Sequence, residues 1–363
     1  MARSPEQGDA GLQAGFVVAT HGRLREVATA ILRAAGAADA DARVTADHLV
    51  DANLSGHDSH GVGMLPQYVR AIRAGSVDPR AHAAIEDRGG GVLAADGRRG
   101  LGQVVAREAV AAAMERARTT GVALVALRNA SHVGRVGTYG EQAAAEGFLS
   151  VLFVNVVGHP PLVAPFRGTD ARFSTNPFCA TLPRGGGRPP IVLDFATSTV
   201  ALGKTRVAMN RGERMDPGVL IDAQGRPTDD PAVMWREPRG AILPIGLHKG
   251  YGLAVMCELL AGVLTGGGTA STVPYEADRI TNNMLGFVVD PARLPGAAGL
   301  EREITAAIEH VKASPPADPS LPVLVAGEPE LAWRALRRAS GIPIEQATWE
   351  QLRESASSLG IAL

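Results

Sequence analysis

Apolar positions near the N-terminus recur with helical spacing. Leu24, Val27, Ala28, Ile31 and Leu32 form one stripe, and Ala42, Ala46, Leu49, Val50 and Leu54 form a second. Each stripe predicts a helix that buries a single face. A third helix is expected over residues 63–74, where Met64, Leu65, Tyr68, Val69 and Ile72 share a face, Pro66 suits the first turn and Gly75 can close the last. From about residue 90 short apolar runs alternate with helical patterns. Strands are expected at 92–95, 122–127 and 150–156, with helices at 103–118 and 139–146 between them. Further strands are expected at 179–182, 191–195 and 285–289. A helix over 253–264 would carry Leu253, Met256, Cys257, Leu260 and Leu264 on one buried side. Helical patterning returns after residue 299, interrupted by a Pro-rich surface loop at 314–322.

This texture predicts an α/β fold. The expected organisation is a disordered N-terminus over 1–15, a helical domain built from 16–80 together with 300–363, and an α/β domain over 81–299. The chain has 363 residues, 45% apolar and 20% charged, enough for a substantial core and in keeping with two domains. Its 36 basic and 37 acidic residues nearly cancel, so no basic face is available for a run of phosphates and nucleic acid is not an expected partner. Two distant cysteines, Cys179 and Cys257, indicate neither a disulfide framework nor a thiolate metal cluster. With no secretory pattern at the N-terminus and no long apolar run, a cytoplasmic protein is expected. Only three of the 36 basic residues are lysines, Lys204, Lys249 and Lys312.

A dinucleotide fingerprint is missing. Gly61-Val62-Gly63 follows a helix, not a strand, and Gly134, Gly137 and Gly140 are spaced three apart. Gly203-Lys204-Thr205 lacks the leading glycine of a P-loop. Four other clusters carry polar chemistry. His57-Asp58-Ser59-His60 lies between Gly56 and Gly61, either presenting an imidazole or capping the next helix through Asp58 or Ser59. The segment Asn129 to Arg135 follows a strand and includes His132, either as an active-site loop or as a strand-ending turn. Gly246-Leu247-His248-Lys249-Gly250-Tyr251-Gly252 leads into the 253–264 helix, where backbone N–H groups and Lys249 could meet an anion; otherwise it is a lead-in loop to a buried helix. Asp194-Phe195-Ala196-Thr197-Ser198-Thr199 ends a strand with a carboxylate and three hydroxyls, suited to ribose or amide hydrogen bonds or to starting a helix.

Taken in order, Gly56 to Met64, Ser131 to Gly137, Thr175-Asn176-Pro177-Phe178, Asp194 to Ser198, His248-Lys249-Gly250-Tyr251 and Gly327-Glu328-Pro329-Glu330 resemble the malate/L-lactate dehydrogenase family. That family is unrelated to the Rossmann lactate dehydrogenases, and the likeness is strongest to its hydroxycarboxylate dehydrogenase B branch. The resemblance implies a homodimer, a non-Rossmann mixed-sheet cofactor domain with helical terminal segments packed as a second domain, and reversible reduction of 2-oxo acids by NADH or NADPH. It implies that His60 is the proton donor, oriented by Ser59, and that His132 stands at the substrate. It also implies cofactor contacts at Gly134, Arg135, Val136, Asp194, Phe195, Ala196, Thr197, Ser198, His248, Lys249, Asn282, Gly327, Glu328, Pro329 and Glu330, and no metal. Several branches carry an Arg four residues after the catalytic His, where this chain has Met64. Arg135 is the substitute expected to clamp the substrate carboxylate.

Hydride transfer to a 2-oxo carbon needs alignment, a carboxylate clamp and a proton donor near neutral pH, which suits an imidazole. A helix N-terminus beside His60 disfavours the imidazolium, so Asp58, Ser59 or the substrate carboxylate is expected to compensate. Three alternatives remain: reduction of a cyclic imine, a metal-dependent hydrolase or lyase using His57, Asp58, His60 and His132 as ligands, and a catalytically silent binding protein of the same fold.

Overall fold

The computed structural model describes residues 15–362. Residues 1–14 of the expected disordered N-terminus lie outside them, and the Gly15 carbonyl accepts a hydrogen bond from Gln346 N–H. The chain opens with β1 (Phe16–Ala19), α1 (His21–Ala34), α2 (Asp39–Leu54) and α3 (Leu65–Arg73). Thr20 caps α1 by accepting from Arg23 N–H. Both expected stripes are buried throughout and face each other, joined by Leu65, Tyr68 and Val69 of α3. Pro66 sits in the first turn of α3 and Gly75 ends it with φ +72°. Two single 3-10 turns, Asp58–His60 and Val62–Met64, link α2 to α3.

Next come β2 (Ala84–Asp87), β3 (Val92–Asp96), α4 (Gly102–Thr120), β4 (Val122–Ala130), α5 (Gly137–Ala145), β5 (Leu149–Val157), β6 (Phe178–Leu182) and β7 (Ile191–Phe195). They are followed by α6 (Leu202–Arg211), a small sheet of β8 (Leu220–Ile221), β9 (Pro227–Thr228) and β10 (Ala241–Ile242), α7 (His248–Cys257) and β11 (Thr281–Val289). The large sheet runs β2-β3-β4-β11-β5-β6-β7, and β3–β4 is its one parallel pair. A doubly wound dinucleotide fold is mostly parallel, so this is the mixed, non-Rossmann sheet expected. The last of these seven strands in sequence, β11, lies in the middle. It is buried on both faces over most of its length, polar Thr281, Asn282 and Asn283 included, which is why hydropathy marked only its second half.

The apolar helix differs from expectation. It begins at His248, so His248 and Lys249 occupy its first turn, and Glu258–Val263 continue it as a π-helix. Met256 is 46% exposed and Leu264 64% exposed, while the buried positions include Gly250, Ala254, Cys257, Ala261 and Gly262. Of the expected face, Cys257 is buried and Leu253 and Leu260 are half-buried. Close approach explains the small residues beside them: a Cβ on Gly262 would lie 2.5 Å from the Gly268 carbonyl and 2.6 Å from Asn155 Nδ2.

The chain ends with α8 (Leu300–Lys312), α9 (Glu328–Ser340), β12 (Ile342–Glu345) and α10 (Gln346–Ser358). β12 pairs antiparallel with β1, and Ile342, Ile344, Leu352 and Ala356 enter the N-terminal cluster. By contrast, α8 lies against the 185–188 turn of the sheet side, where Arg188 donates to Thr305 Oγ1. No helix of the described residues is long and apolar enough to cross a membrane.

Candidate active site

Two turns far apart in sequence bring imidazoles together. His60, at the end of a 3-10 turn, and His132, just after β4, meet edge to edge, with ring centroids 5.3 Å apart and planes 16° apart. His60 Nδ1 lies 3.2 Å from His132 Nε2, and His132 Nδ1 lies 2.7 Å from Tyr68 Oη. Gln103 Nε2 donates both to Tyr68 Oη at 2.7 Å and to the His132 carbonyl at 3.1 Å. A carbonyl can only accept, so the Gln103 amide is fixed with its NH₂ inward and Tyr68 Oη accepts from it. The phenol proton then goes to His132 Nδ1. Neutral His132 must carry its own proton on Nε2, donate it to His60 Nδ1 and leave the His60 proton on Nε2. That nitrogen has no protein partner among the described residues.

Burial favours the neutral rings. The His60 pKa falls to about 4, chiefly by desolvation and further by His57 and Arg135. His132 is lowered by the same main cause, with help from His60, His48 and His159. Removal from water also pushes the Tyr68 phenol well above its usual range. The expected cationic donor is therefore neutral here, and Asp58 offers no compensation. Its carboxylate is held by Arg337 at 2.8 and 3.0 Å and by Asn53 Nδ2 at 2.6 Å, and it makes no capping bond to the following turn. Ser59 is exposed beside Gly203 at the start of α6. Asn53 Oδ1 accepts from Val62 N–H at 2.9 Å, so close to the chain that a Cβ on Gly61 would sit 2.2 Å from it. Glycine is obligatory there.

The four residues of the metal alternative do not converge: His57 pairs with Glu330 at 3.2 Å, Asp58 with Arg337, and His60 with His132. No cluster of three or more potential ligands occurs among the described residues.

Beyond His57 lies an ion-pair cluster. Arg135 Nη2 meets Glu141 Oε1 at 3.0 Å, and Arg334 Nη2 joins Glu141 Oε2 to Asp51 Oδ2, each at 2.7 Å. Asp194 Oδ2 accepts from Gly137 N–H at 2.7 Å and lies 3.8 Å from Arg135 Nε. Burial raises the Asp194 pKa against the pull of Arg135. Arg135 is 1% exposed, so it presents no open face to a substrate carboxylate, and partly buried Met64 cannot replace it as a clamp. The 132–136 loop is fixed from behind. Arg135 N–H donates to His48, Val133 N–H to Asn282 Oδ1, and Tyr139 Oη to the Val133 carbonyl at 2.5 Å. Gly134, at φ +74°, lies so near His48 that a Cβ would be 2.4 Å from its Nε2, and Val136 is buried behind it as the cap of α5.

Other expected contacts are divided between the site and the scaffold. Phe195 and Ala196 are partly open, but the Thr197 hydroxyl donates to the Thr175 and Asn176 carbonyls and that of Ser198 to Val200. The Asn282 amide is likewise fully engaged, giving its NH₂ to the Asn155 carbonyl. Gly327, Glu328, Pro329 and Glu330 form the start of α9, where Glu328 pairs with Lys312 at 2.6 Å and Glu330 with His57. His248 and Lys249 are exposed, and the segment leading to their turn joins this region through Ile245 N–H to the Thr197 carbonyl, Thr199 to the Leu243 carbonyl and a Ser198–Pro244 bridge. Tyr68, Gln103, His48, Arg334 and Arg337 escaped the sequence reading as site residues. Tyr68 matched the core stripe, and nothing local marks the other four.

A nicotinamide dinucleotide fits this donor set. Arg135 Nε, Arg135 Nη1 and Thr138 Oγ1 are buried polar groups without hydrogen-bond partners around the start of α5, whose first N–H is taken by the Asp194 carboxylate. The sequence model of the malate/L-lactate dehydrogenase family matches residues 19–353. Hydroxycarboxylate dehydrogenase B of Escherichia coli is 45% identical over 334 residues, 92% of this chain and 91% of that one. L-lactate dehydrogenase of Cupriavidus necator is 42% identical, covering 88% and 91%. The solved structure of a putative malate/lactate dehydrogenase from E. coli superposes with a TM-score of 0.91 at 44% identity, covering 95% and 96%. With most of its length matched, the chain belongs to the malate/L-lactate dehydrogenase family.

Proposed function

We propose that the chain catalyses the reversible NAD(P)H-dependent reduction of a 2-oxo acid to a 2-hydroxy acid, with His60 as proton donor. One observation carries this reading: the hydrogen-bond row Gln103–Tyr68–His132–His60 leaves an N–H on the free nitrogen of His60. When bound, the nicotinamide supplies the hydride. His60 supports the carbonyl oxygen with its Nε2–H; having taken a second proton from solvent as substrate binds, it gives the Nε2 proton to the oxygen as charge builds there and is left as the neutral ring. His132 is thus a positioning residue, and Tyr68 fixes its tautomer. A substrate carboxylate arriving beside His60 opposes the depression of its pKa, because an anion favours the protonated ring.

Asp194 and the first turn of α9 would hold the cofactor, and the fixed 132–136 loop, braced from behind by buried Arg135, would orient it. Met256, Leu259 and Val263 form an exposed apolar stripe on α7 and its π-helical extension, which supports a homodimer; light scattering should give twice the chain mass, and Val263→Glu should lower it. The test of function is a screen of 2-oxo acids and cyclic imines with NADH and NADPH, followed at the nicotinamide absorbance. Oxidation with 2-oxo acids that survives exhaustive chelation is expected. Turnover of cyclic imines alone, or of neither class, would overturn the reading.

A further inference from the structure

A cavity of about 690 Å³ opens beyond the Arg135–Glu141–Arg334 cluster. It is walled by α5, the 183–190 turn, β7 and the first turns of α8 and α9. β7 connects it to the site. Val192 lines the cavity, and Asp194, two residues along the same strand, points to the same side about 7 Å away. Gly327, Glu141 and Arg334 line it too, so the cavity adjoins the ion-pair cluster and the first turn of α9, where Glu330 meets His57.

Its chemistry is apolar on the walls and cationic at the turn. Pro183, Pro190, Val192 and Leu331 offer surfaces on which a purine can lie. Arg334 and Glu141 are neutralised within their cluster. Arg184 and Arg188 pair with no carboxylate among the described residues. Arg184 Nε is buried without an acceptor, and Arg188 gives one nitrogen to Thr305. Glu328, which feels Arg184, is already paired with Lys312. Glu301, the remaining carboxylate on the wall, packs on the backbone of Gly185 and Gly186. The wall therefore keeps one positive charge in surplus.

We propose that this cavity takes the adenosine end of the cofactor, and that Arg184 and Arg188 select NADP(H) over NAD(H) through the 2′-phosphate. The inference rests on the dehydrogenase reading above. A phosphate monoester carries nearly two negative charges and matches the guanidinium fork; the bare ribose diol of NAD(H) calls for a free carboxylate acceptor, and on this wall the two guanidinium groups of Arg184 and Arg188 outweigh the single carboxylate of Glu301.

Equilibrium binding of NADPH and NADH, read by nicotinamide fluorescence, tests this without turnover. The natural chain should bind NADPH at least about tenfold tighter, the worth of one charge-assisted contact. Adenosine 2′-phosphate should displace NADPH better than adenosine 5′-phosphate. The pair Arg184→Ala and Arg188→Ala should bring the NADPH-to-NADH ratio close to one. Equal or tighter binding of NADH by the natural chain overturns the inference, as does a ratio that the double variant leaves unchanged. Displacement by the two adenosine phosphates in the natural chain decides the matter even if the double variant fails to fold. Binding of neither dinucleotide would instead remove the dehydrogenase reading itself.

Discussion

Gly56–Gly61 and Gly246–Gly252 are similar as strings: each sets histidine and another polar residue between glycines just before a helix. In the first turn three side chains are tied by partners from distant elements. His57 meets Glu330, Asp58 meets Arg337 and His60 meets His132. Trp333 packs so closely on Gly56 that a Cβ there would lie 2.9 Å away. The second turn carries no such polar ties among the described residues, although the Phe166 ring lies 5.9 Å from His248 and the Phe173 ring 6.0 Å from Tyr251. His248 and Lys249 are exposed, and Leu247 is 63% exposed at φ 56° and ψ −123°, a conformation turns usually give to glycine. A polar turn becomes a site when remote segments close over it and decide where its protons lie.

The largest expected effect tests that difference directly. His60→Asn should lower kcat for 2-oxo acid reduction by about 10²–10⁴-fold; a normal rate and pH profile would remove His60 from the mechanism. Tyr68→Phe, which deletes only the hydroxyl that fixes the His132 tautomer, should cost roughly ten- to a hundredfold in kcat with little change in KM. An equal loss in His248→Ala would erase the contrast between the turns.

Stability should follow the buried imidazoles. His60 and His48 have folded-state pKa values of about 4 and about 3 against 6.5 ordinarily, and His132 is lowered as well. Below pH 6.5 the unfolded chain therefore binds more protons, and stability falls as pH drops toward the folded values. His82, raised by its hydrogen bond to Glu108, works in the opposite sense. The melting temperature should decrease from pH 7 to pH 5, with a flatter slope in His48→Gln. An unchanged slope in that variant would contradict the burial argument. The smallest effect belongs to the open turn: Leu247→Gly should raise stability by up to about 1 kcal/mol in denaturant titration, by releasing backbone strain.

Much of the scaffold was legible. The stripes of α1 and α2 are buried at every marked position, because an amphipathic helix writes its packed face into local spacing. Three kinds of feature were not. The first half of β11 buries asparagines that hydrogen-bond the 129–133 loop and β5, so it reads as polar. The 253–264 pattern placed Met256 and Leu264 on the buried side although both face outward, since close backbone contact there admits small residues such as Gly262. Tyr68 shares a core stripe yet turns its hydroxyl to His132.

By itself the sequence determined the α/β texture, the family and the two histidine loops, since these are carried by local spacing and by motifs in order. Which imidazole holds a proton, and on which nitrogen, was decided only by the tertiary structure. So were the withdrawal of Arg135 and Asp58 into ion pairs and the cationic wall of the cavity. Protonation and hydrogen-bond direction depend on burial and on neighbours that folding brings together from distant parts of the chain.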